Sequence, residues 1–265
     1  MKNTIAITIG LLLSCFTVIN AQVLETFQEN GKYGFRDRSN KMVVIKPNYD
    51  YADFFEEGYA RVQKNGKVGY IDILDNVVID FIYTRGSHFS EGLASVELNN
   101  KSGFINPKGE VIIPFKYEST ESFSEGLAEV KSNGKCGFID AKGKEVVPLI
   151  YDDASSFNGI LTVKSNEKWG CLDQTGRVII PIKYPQMILF GEGENTTRVE
   201  LNGKVGVIDR TGKETIPIKY EDVQGYGDGD KYVQLKGKWG IVNASGEIIV
   251  PITYKSLREV YDLEY

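Results

Sequence analysis

The side chains that carry out most enzymatic chemistry are scarce in this chain of 265 residues. Its one histidine, His88, rules out paired imidazoles and any cluster of histidine metal ligands. The sequence contains no Gly-x-Ser-x-Gly elbow, P-loop or dinucleotide-binding motif. We therefore predict that the chain is not an enzyme and that it uses no cofactor or metal.

Carboxylates are plentiful, but their spacing does not nominate a site. A glycosidase needs two of them about 5–10 Å apart in a groove, and the sequence singles out no such pair. Aspartates recur at one position just before a turn, whereas calcium loops need several oxygen ligands close in sequence. Turn-forming hydrogen bonds explain these aspartates. They are Asp37, Asp72, Asp140, Asp173 and Asp209. A glycosidase is accordingly the least favoured function.

Lysines and aromatic residues offer better candidates, for binding rather than catalysis. If repeated segments stack in register, a regularly spaced lysine lines one edge of the molecule and could bind acidic glycans or an acidic protein surface. The favoured alternative is that these lysines protect strand edges and pair with glutamates of the Phe-x-Glu-Gly turns. Two tryptophans could stack on sugar rings. The candidate binding surface comprises Trp169, Trp239, Lys32, Lys67, Lys101, Lys135, Lys168, Lys204 and Lys238.

Each of these lysines stands two residues before a glycine, and the glycines recur every 33 to 36 residues. Such a period is typical of repeat architectures. A side chain at the glycine would block close packing. The seven glycines are Gly34, Gly69, Gly103, Gly137, Gly170, Gly206 and Gly240.

Each unit is predicted to form three short antiparallel strands, a, b and c. Asn133-Gly134 illustrates the type I′ hairpin signal between strands a and b. Strand c is continuously apolar, as in Val111–Ile113, which predicts burial on both faces. A proline usually follows this run and either ends the strand or lies at a sheet edge. Tyrosine follows strand c in every unit and is expected in the core.

The predicted fold is all-β: an open, twisted, solenoid-like array of seven repeats of about 34 residues. The alternative is a closed seven-bladed β-propeller. Thirty-four residues are few for a four-stranded blade, which favours the open array. The insertion Gly191–Thr197 before the sixth unit predicts a protruding or mobile loop.

The repeat from Phe123 to Tyr151 resembles the WG-repeat (KWG) family of bacterial proteins. That family's pattern runs F-x-E-G-L-A-x-V-x-x-N-G-K-W-G-Y-I-D-x-x-G-x-x-V-I-P-x-x-Y. Here only Trp169 and Trp239 occupy its tryptophan position. The resemblance implies a β-repeat scaffold often found in exported or envelope-associated proteins, and it implies no established activity.

The N-terminus predicts export. A basic start, an apolar run from Ile5 to Ile19, and apolar or small residues at the −3 and −1 positions of a cleavage after Ala21 are typical of a signal peptide over residues 1–21. Its removal leaves one repeat domain over 22–265. A run of about 15 residues is short for a membrane span. A lipoprotein anchored at Cys15 is the alternative.

The net charge argues against two classes of partner. The net charge is −5, and clustered positive charge is absent, so we expect neither nucleic acid nor an anionic membrane as partner.

Cys136 and Cys171 flank repeat glycines in adjacent units. They either form a disulfide or, as favoured, are two small buried residues.

The sequence thus predicts an exported, monomeric, non-enzymatic scaffold for protein–protein interaction at the cell envelope, periplasmic or extracellular. The alternative is a carbohydrate-binding module. The partner is a protein or a cell-surface glycan.

Overall fold

The fold is that of a computed structural model, which describes residues 24–225 and 227–263. The predicted signal peptide and Cys15 lie outside these residues. In the described part of the chain, seven small antiparallel sheets follow one another, and a single short helix follows the last sheet. The prediction of seven all-β repeats is confirmed.

The first three sheets contain the following strands. The first has β1 (Leu24–Glu29), β2 (Lys32–Asp37) and β3 (Val43–Tyr49). The second has β4 (Tyr51–Glu56), β5 (Tyr59–Lys64), β6 (Lys67–Asp72) and β7 (Val77–Tyr83). The third has β8 (Arg85–Gly86), β9 (Ala94–Leu98), β10 (Lys101–Ile105) and β11 (Val111–Tyr117).

The fourth sheet has β12 (Ser119–Thr120), β13 (Leu127–Ser132), β14 (Lys135–Asp140) and β15 (Glu145–Tyr151). The fifth has β16 (Asp153–Phe157), β17 (Ile160–Ser165), β18 (Lys168–Leu172) and β19 (Val178–Tyr184). The sixth has β20 (Thr196–Leu201), β21 (Lys204–Asp209) and β22 (Glu214–Tyr220). The seventh has β23 (Asp222–Gln224), β24 (Lys231–Leu235), β25 (Lys238–Val242) and β26 (Ile248–Tyr254), followed by α1 (Leu257–Tyr261).

Five sheets have four strands, where the sequence predicted three. The additional strand precedes strand a and begins two residues after the recurrent tyrosine of the preceding unit; we call it the opening strand. The opening strands are β4, β8, β12, β16 and β23. Thirty-four residues therefore suffice for a four-stranded sheet, and the length argument against a propeller was wrong.

The predicted turns are confirmed. Both central residues of every a–b hairpin have positive φ, for example 51° at Asn133 and 72° at Gly134, as a type I′ turn requires. In the b–c turn, the Asp140 carboxylate accepts hydrogen bonds from the backbone N–H groups of Lys142 and Lys144, both at 2.9 Å. These bonds hold the pKa of Asp140 below its usual value.

Strand c is an exposed edge, so the prediction that it is buried on both faces was wrong. Ile113 is buried, whereas Val111 and Ile112 are 49% and 39% exposed. Strand c pairs only with strand b, and a bulge interrupts the pairing: Ser102 faces Tyr117, but Phe104 faces Ile113. The apolar run reflects strand propensity beside a proline rather than burial.

The recurrent glycine lies opposite this bulge. A Cβ atom at Gly103 would lie 2.5 Å from the Ile113 carbonyl oxygen, and the equivalent distance is between 2.5 and 2.7 Å in all seven repeats. No side chain fits at such a separation. The predicted role of the glycine, to allow close packing, is confirmed.

Each sheet packs on the next with a stagger of two strands. The opening strand of one sheet contacts strand b of the preceding sheet, as β12 contacts β10, and strand a contacts strand c, as β13 contacts β11. The core therefore consists of separate clusters between neighbouring sheets, such as Phe104 and Ile113 of the third sheet with Val130 and Ile139 of the fourth. Stability is largely a nearest-neighbour property.

The array is open. In the described part of the chain, no apolar cluster joins the last sheet to the first. Instead α1 covers the last sheet, where Val260 is fully buried with Trp239 and Ile241. Ser256 caps this helix by accepting a hydrogen bond from the Glu259 N–H.

Several side chains predicted to lie in the core do so. Five of the recurrent tyrosines are between 1% and 4% exposed: Tyr49, Tyr83, Tyr117, Tyr184 and Tyr220. Cys136 and Cys171 are buried and unbonded to each other, which confirms the favoured prediction over the disulfide. Within residues 24–225 and 227–263, no helix has the length and apolar character needed to cross a bilayer.

Candidate binding groove

The seven candidate lysines all begin strand b, beside the a–b hairpins. Lys32 forms an ion pair with Asp50, and the Lys135 Nζ atom lies 2.5 Å from an Asp152 oxygen. Asp50 and Asp152 follow the recurrent tyrosine, so the prediction that the lysines pair with glutamates of the Phe-x-Glu-Gly turns was wrong. The other five form no ion pair among the described residues.

These two aspartates join neighbouring repeats. Asp50 also accepts a hydrogen bond from the Asn65 N–H at 2.6 Å, in the hairpin of the next sheet. Asp152 does the same with the Asn166 N–H at 2.8 Å. The lysine thus reaches a carboxylate that caps the next hairpin, which is a structural role.

The turn glutamates act at the opposite end of the strands. Glu57 accepts a hydrogen bond from the Gly92 N–H, and Glu91 from the Gly126 N–H, each at 3.0 Å. A carboxylate in one turn therefore caps the corresponding turn of the next repeat.

The two tryptophans lie in different surroundings. Trp169 is half-buried on β18, and the Lys164 ammonium lies 5.9 Å from the centre of its ring. Trp239 is 9% exposed beneath α1. The structure does not bring them together, because the sixth sheet separates the sheets that hold them.

A row of clefts follows the opening strands. Each lies between strand a of one sheet and the opening strand of the next, and we call it a notch. The second–third, third–fourth, fourth–fifth and sixth–seventh notches have volumes of about 260, 240, 540 and 210 Å³. Sequence reasoning did not predict them, because it did not recognise the opening strands, which have two to six residues.

Side chains from the third residue of strand a cross two of these four notches as hydrogen-bond donors. Arg61 donates to the Gly86 carbonyl at 3.0 Å and Arg198 to the Val223 carbonyl at 3.2 Å. Between the fifth and sixth sheets, where there is no opening strand, the equivalent Thr162 donates to the Ile188 carbonyl at 3.1 Å. Opening strands are sheet edges with unpaired carbonyl groups. A donor from the preceding sheet satisfies them.

The fourth–fifth notch departs from this pattern. Its strand a residue is Glu129, and a carboxylate cannot donate when ionised. Oxygen atoms of Glu129 and Asp153 and the sulfur of Cys136 all lie within 4.8 Å of one another. Burial, followed by the charges of Glu121 and Asp153, raises the pKa of Glu129 to about 7. Burial and the Glu129 charge raise the pKa of Cys136 to about 11.

The insertion predicted as a protruding loop is tied down at the sixth–seventh notch. The Asp228 carboxylate accepts hydrogen bonds at 3.0 Å from the backbone N–H groups of Asn195 and Thr196. Upstream of the insertion, Ile188 and Phe190 are buried against the core between the fifth and sixth sheets. This segment replaces the opening strand that the sixth sheet lacks.

The proximity of Glu129 and Asp153 was not predicted from the sequence. The two residues come from different repeats and approach only through the stagger of the sheets. A signal was present: repeat four has Glu129 where its neighbours have Ser95 and Thr162.

Comparison with known proteins gives a match to one family model and distant similarity to solved structures. No curated protein matches the chain. Among solved structures, Hsv2 of Kluyveromyces lactis is 9% identical over 83% of this chain and 89% of its own, with a TM-score of 0.44. Apo AztD of Citrobacter koseri is 12% identical over 89% and 83%, with a TM-score of 0.36. These similarities are too distant to indicate a function.

The match to a family model covers nearly all of the described residues. The model for the WG containing repeat matches seven times, at residues 33–67, 69–101, 103–136, 137–169, 169–204, 206–238 and 239–262. Each segment begins in strand b of one sheet, and all but the last end in strand b of the next, so the repeat of the family model is offset from the sheets. The chain belongs to the family of proteins with WG-containing repeats.

Proposed function

We propose that this protein is an exported, monomeric, non-enzymatic scaffold that binds a protein partner at the cell envelope through its row of notches. The observation that carries the proposal is that the notches share one geometry and differ in lining. An array with repeated clefts of different chemistry can recognise an extended segment at several points.

The charges of the notches suggest what such a partner presents. The fourth–fifth notch is lined by the carboxylates of Glu121, Glu129 and Asp153. In the second–third and sixth–seventh notches the arginines already have carboxylate partners, Arg61 with Asp53 and Arg198 with Asp222. A partner segment with a basic residue opposite the fourth–fifth notch complements the carboxylates there.

Export rests on the predicted signal peptide over residues 1–21, with lipoprotein anchoring at Cys15 as the alternative. Expression of the full chain with fractionation of the cells tests it. Mature protein that lacks residues 1–21 in the periplasmic or extracellular fraction is expected. Full-length protein confined to the cytoplasm would contradict export.

Capture from envelope extract tests the scaffold proposal. Ser155 lines the fourth–fifth notch, and an arginine there fills the notch with a long cation. Val178 is 52% exposed on β19, at the opposite edge of the same sheet. We expect wild type and Val178→Arg to capture one partner that Ser155→Arg does not. Equal capture by all three proteins, or by heat-unfolded protein, would contradict the proposal.

The second candidate, a carbohydrate-binding module, is favoured by the hydroxyl groups of the third–fourth notch and by the half-exposed ring of Trp169. Hydroxyl groups of Ser87, Ser95, Ser119 and Thr120 line that notch. Their donors and acceptors suit sugar hydroxyls, and an aromatic face suits a sugar ring.

Alanine substitution of the two tryptophans separates binding from folding. On a glycan array, Trp169→Ala is expected to lose binding at unchanged circular dichroism if sugars are the ligands. Trp239→Ala is expected to destabilise the seventh sheet by about 3–5 kcal/mol, because it removes a buried ring under α1. Wild-type protein that binds no glycan on the array would remove this candidate.

A further inference from the structure

We propose that the fourth–fifth notch binds a divalent transition-metal ion of the zinc class, held by Glu129, Cys136 and Asp153. The inference does not depend on the scaffold function proposed above. It rests on the ligand set, on burial of the thiol and on comparison with the equivalent notch two sheets further along the array.

The ligand atoms come from three strands and converge on one point. Glu129 lies on β13, Cys136 on β14 and Asp153 on β16 of the next sheet. Their sulfur and oxygen atoms lie within 4.8 Å of one another. Zinc binds sulfur at about 2.3 Å and carboxylate oxygen at about 2.0–2.2 Å. Small side-chain rotations therefore bring all three into one coordination sphere.

The thiol is buried and points into the cluster. Cys136 is 2% exposed, and its hydrogen-bonding neighbour is Glu129, itself a member of the cluster. By contrast, the sulfur of Cys171 lies 3.8 Å from the Thr162 hydroxyl. At the position of Cys136, other repeats have apolar or aromatic residues such as Val68 and Val205, or Ser102. Only repeat four has a cysteine at this position together with a glutamate at the position of Glu129.

The sixth–seventh notch shows that this geometry accommodates a positive charge. There the residues equivalent to Glu129 and Asp153 are Arg198 and Asp222, whose closest atoms form an ion pair at 3.3 Å. In both notches the aspartate also accepts a hydrogen bond from the next residue's N–H, at 2.9 Å in Asp153 and 2.8 Å in Asp222. Glu129 replaces the arginine while the aspartate stays. A bound cation supplies the charge that the guanidinium supplies in the other notch.

The donor types select the class of metal. A thiolate favours zinc and related ions over calcium and magnesium, which prefer oxygen ligands alone. Three protein ligands leave a fourth tetrahedral position, which faces the cleft of about 540 Å³. Water or a donor atom from a partner can occupy it. On binding, the thiol proton passes to solvent as the metal–sulfur bond forms, so no oxidant or reductant is needed.

Substitutions taken from the protein's own repeats test the site with little risk to the fold. Cys136→Val introduces the residue of repeats two and six, and Glu129→Arg recreates the ion pair of Arg198 and Asp222. Cys171→Val, which introduces the residue that repeat six has at Val207, is the matched control for loss of a buried cysteine. Because Asp153 is exposed, Asp153→Asn is a further variant that leaves the core intact.

The experiment is zinc titration of the reduced full chain against a competing chelator, with metal content measured by mass spectrometry. Wild type and Cys171→Val are expected to bind one zinc ion. Zinc affinity is expected to fall more than about 100-fold in Cys136→Val, Glu129→Arg and Asp153→Asn. Mutation of residues that only support metal ligands already lowers metal affinity 10–100-fold. Circular dichroism checks that each variant is folded.

Substitution with Co²⁺ gives a readout specific to the thiol. Thiolate-to-cobalt charge-transfer absorption is expected in wild type and Cys171→Val, and its loss is expected in Cys136→Val. Wild-type protein that retains no zinc, or zinc binding that is unchanged in Cys136→Val and Asp153→Asn, would overturn the proposal.

Discussion

Alanine at Gly103 is expected to destabilise the protein by at least about 3 kcal/mol, the upper end of the range for overpacked cores. The new Cβ atom would lie 2.5 Å from the Ile113 carbonyl oxygen and 2.9 Å from the Phe115 ring. The carbonyl belongs to the bulge of strand c, so relief requires the backbone to move. Because each sheet covers the next, damage to the third sheet also exposes the clusters on both of its faces.

Gly109 in the same repeat provides the control. It has φ of +78°, and no atom lies within 4 Å of the position that a Cβ would occupy, so alanine there costs only the left-handed backbone, about 1–2 kcal/mol. Urea denaturation followed by circular dichroism measures both variants. Equal loss of stability in the two would show that the contact with the bulge is not what requires the glycine.

Aspartate at Val260 is expected to release α1 and expose Trp239. Val260 is fully buried against Trp239 and Ile241, and an unpaired carboxylate cannot remain there without a large desolvation cost. The helix has only five residues. Detaching it is therefore expected to cost less free energy than burying the carboxylate. The seventh sheet then loses its cover and unfolds at a lower denaturant concentration than the rest of the array.

Tryptophan fluorescence measures this release. In a Trp169→Phe background the signal comes from Trp239 alone, and its emission is expected to shift to the red in Val260→Asp. Arg258→Ala is the control, because it makes the same change in net charge at an exposed position of the same helix. An unchanged emission spectrum in Val260→Asp would show that α1 does not cover the last sheet.

Features that depend on a few neighbouring residues were predicted well. Asn133-Gly134 specifies its hairpin locally, because few residue pairs tolerate positive φ at both positions. The spacing of Gly103 and its counterparts indicated the number of repeats and their approximate bounds. Five of the seven recurrent tyrosines and both cysteines are in the core for the same reason, since their alternation along strands b and c is a local pattern.

Features that depend on how repeats stack were not predicted. Val111 and Ile112 were expected to be buried, but they lie on an edge strand whose exposure depends on sheet order. The opening strand of two residues in the fourth sheet carries too little pattern to recognise. Glu129 and Asp153 meet only because consecutive sheets are displaced by two strands, and no pattern within one repeat encodes that displacement.

Native-state hydrogen exchange tests the open array most directly. In an array held by nearest-neighbour contacts, terminal units open more easily than central ones. Amides of β2 in the first sheet are therefore expected to exchange at least about tenfold faster than those of β14 in the fourth, a difference of about 1.4 kcal/mol in opening free energy. Equal protection of β2 and β14, lost only on global unfolding, would indicate that the ends are joined in a closed ring and would contradict the account.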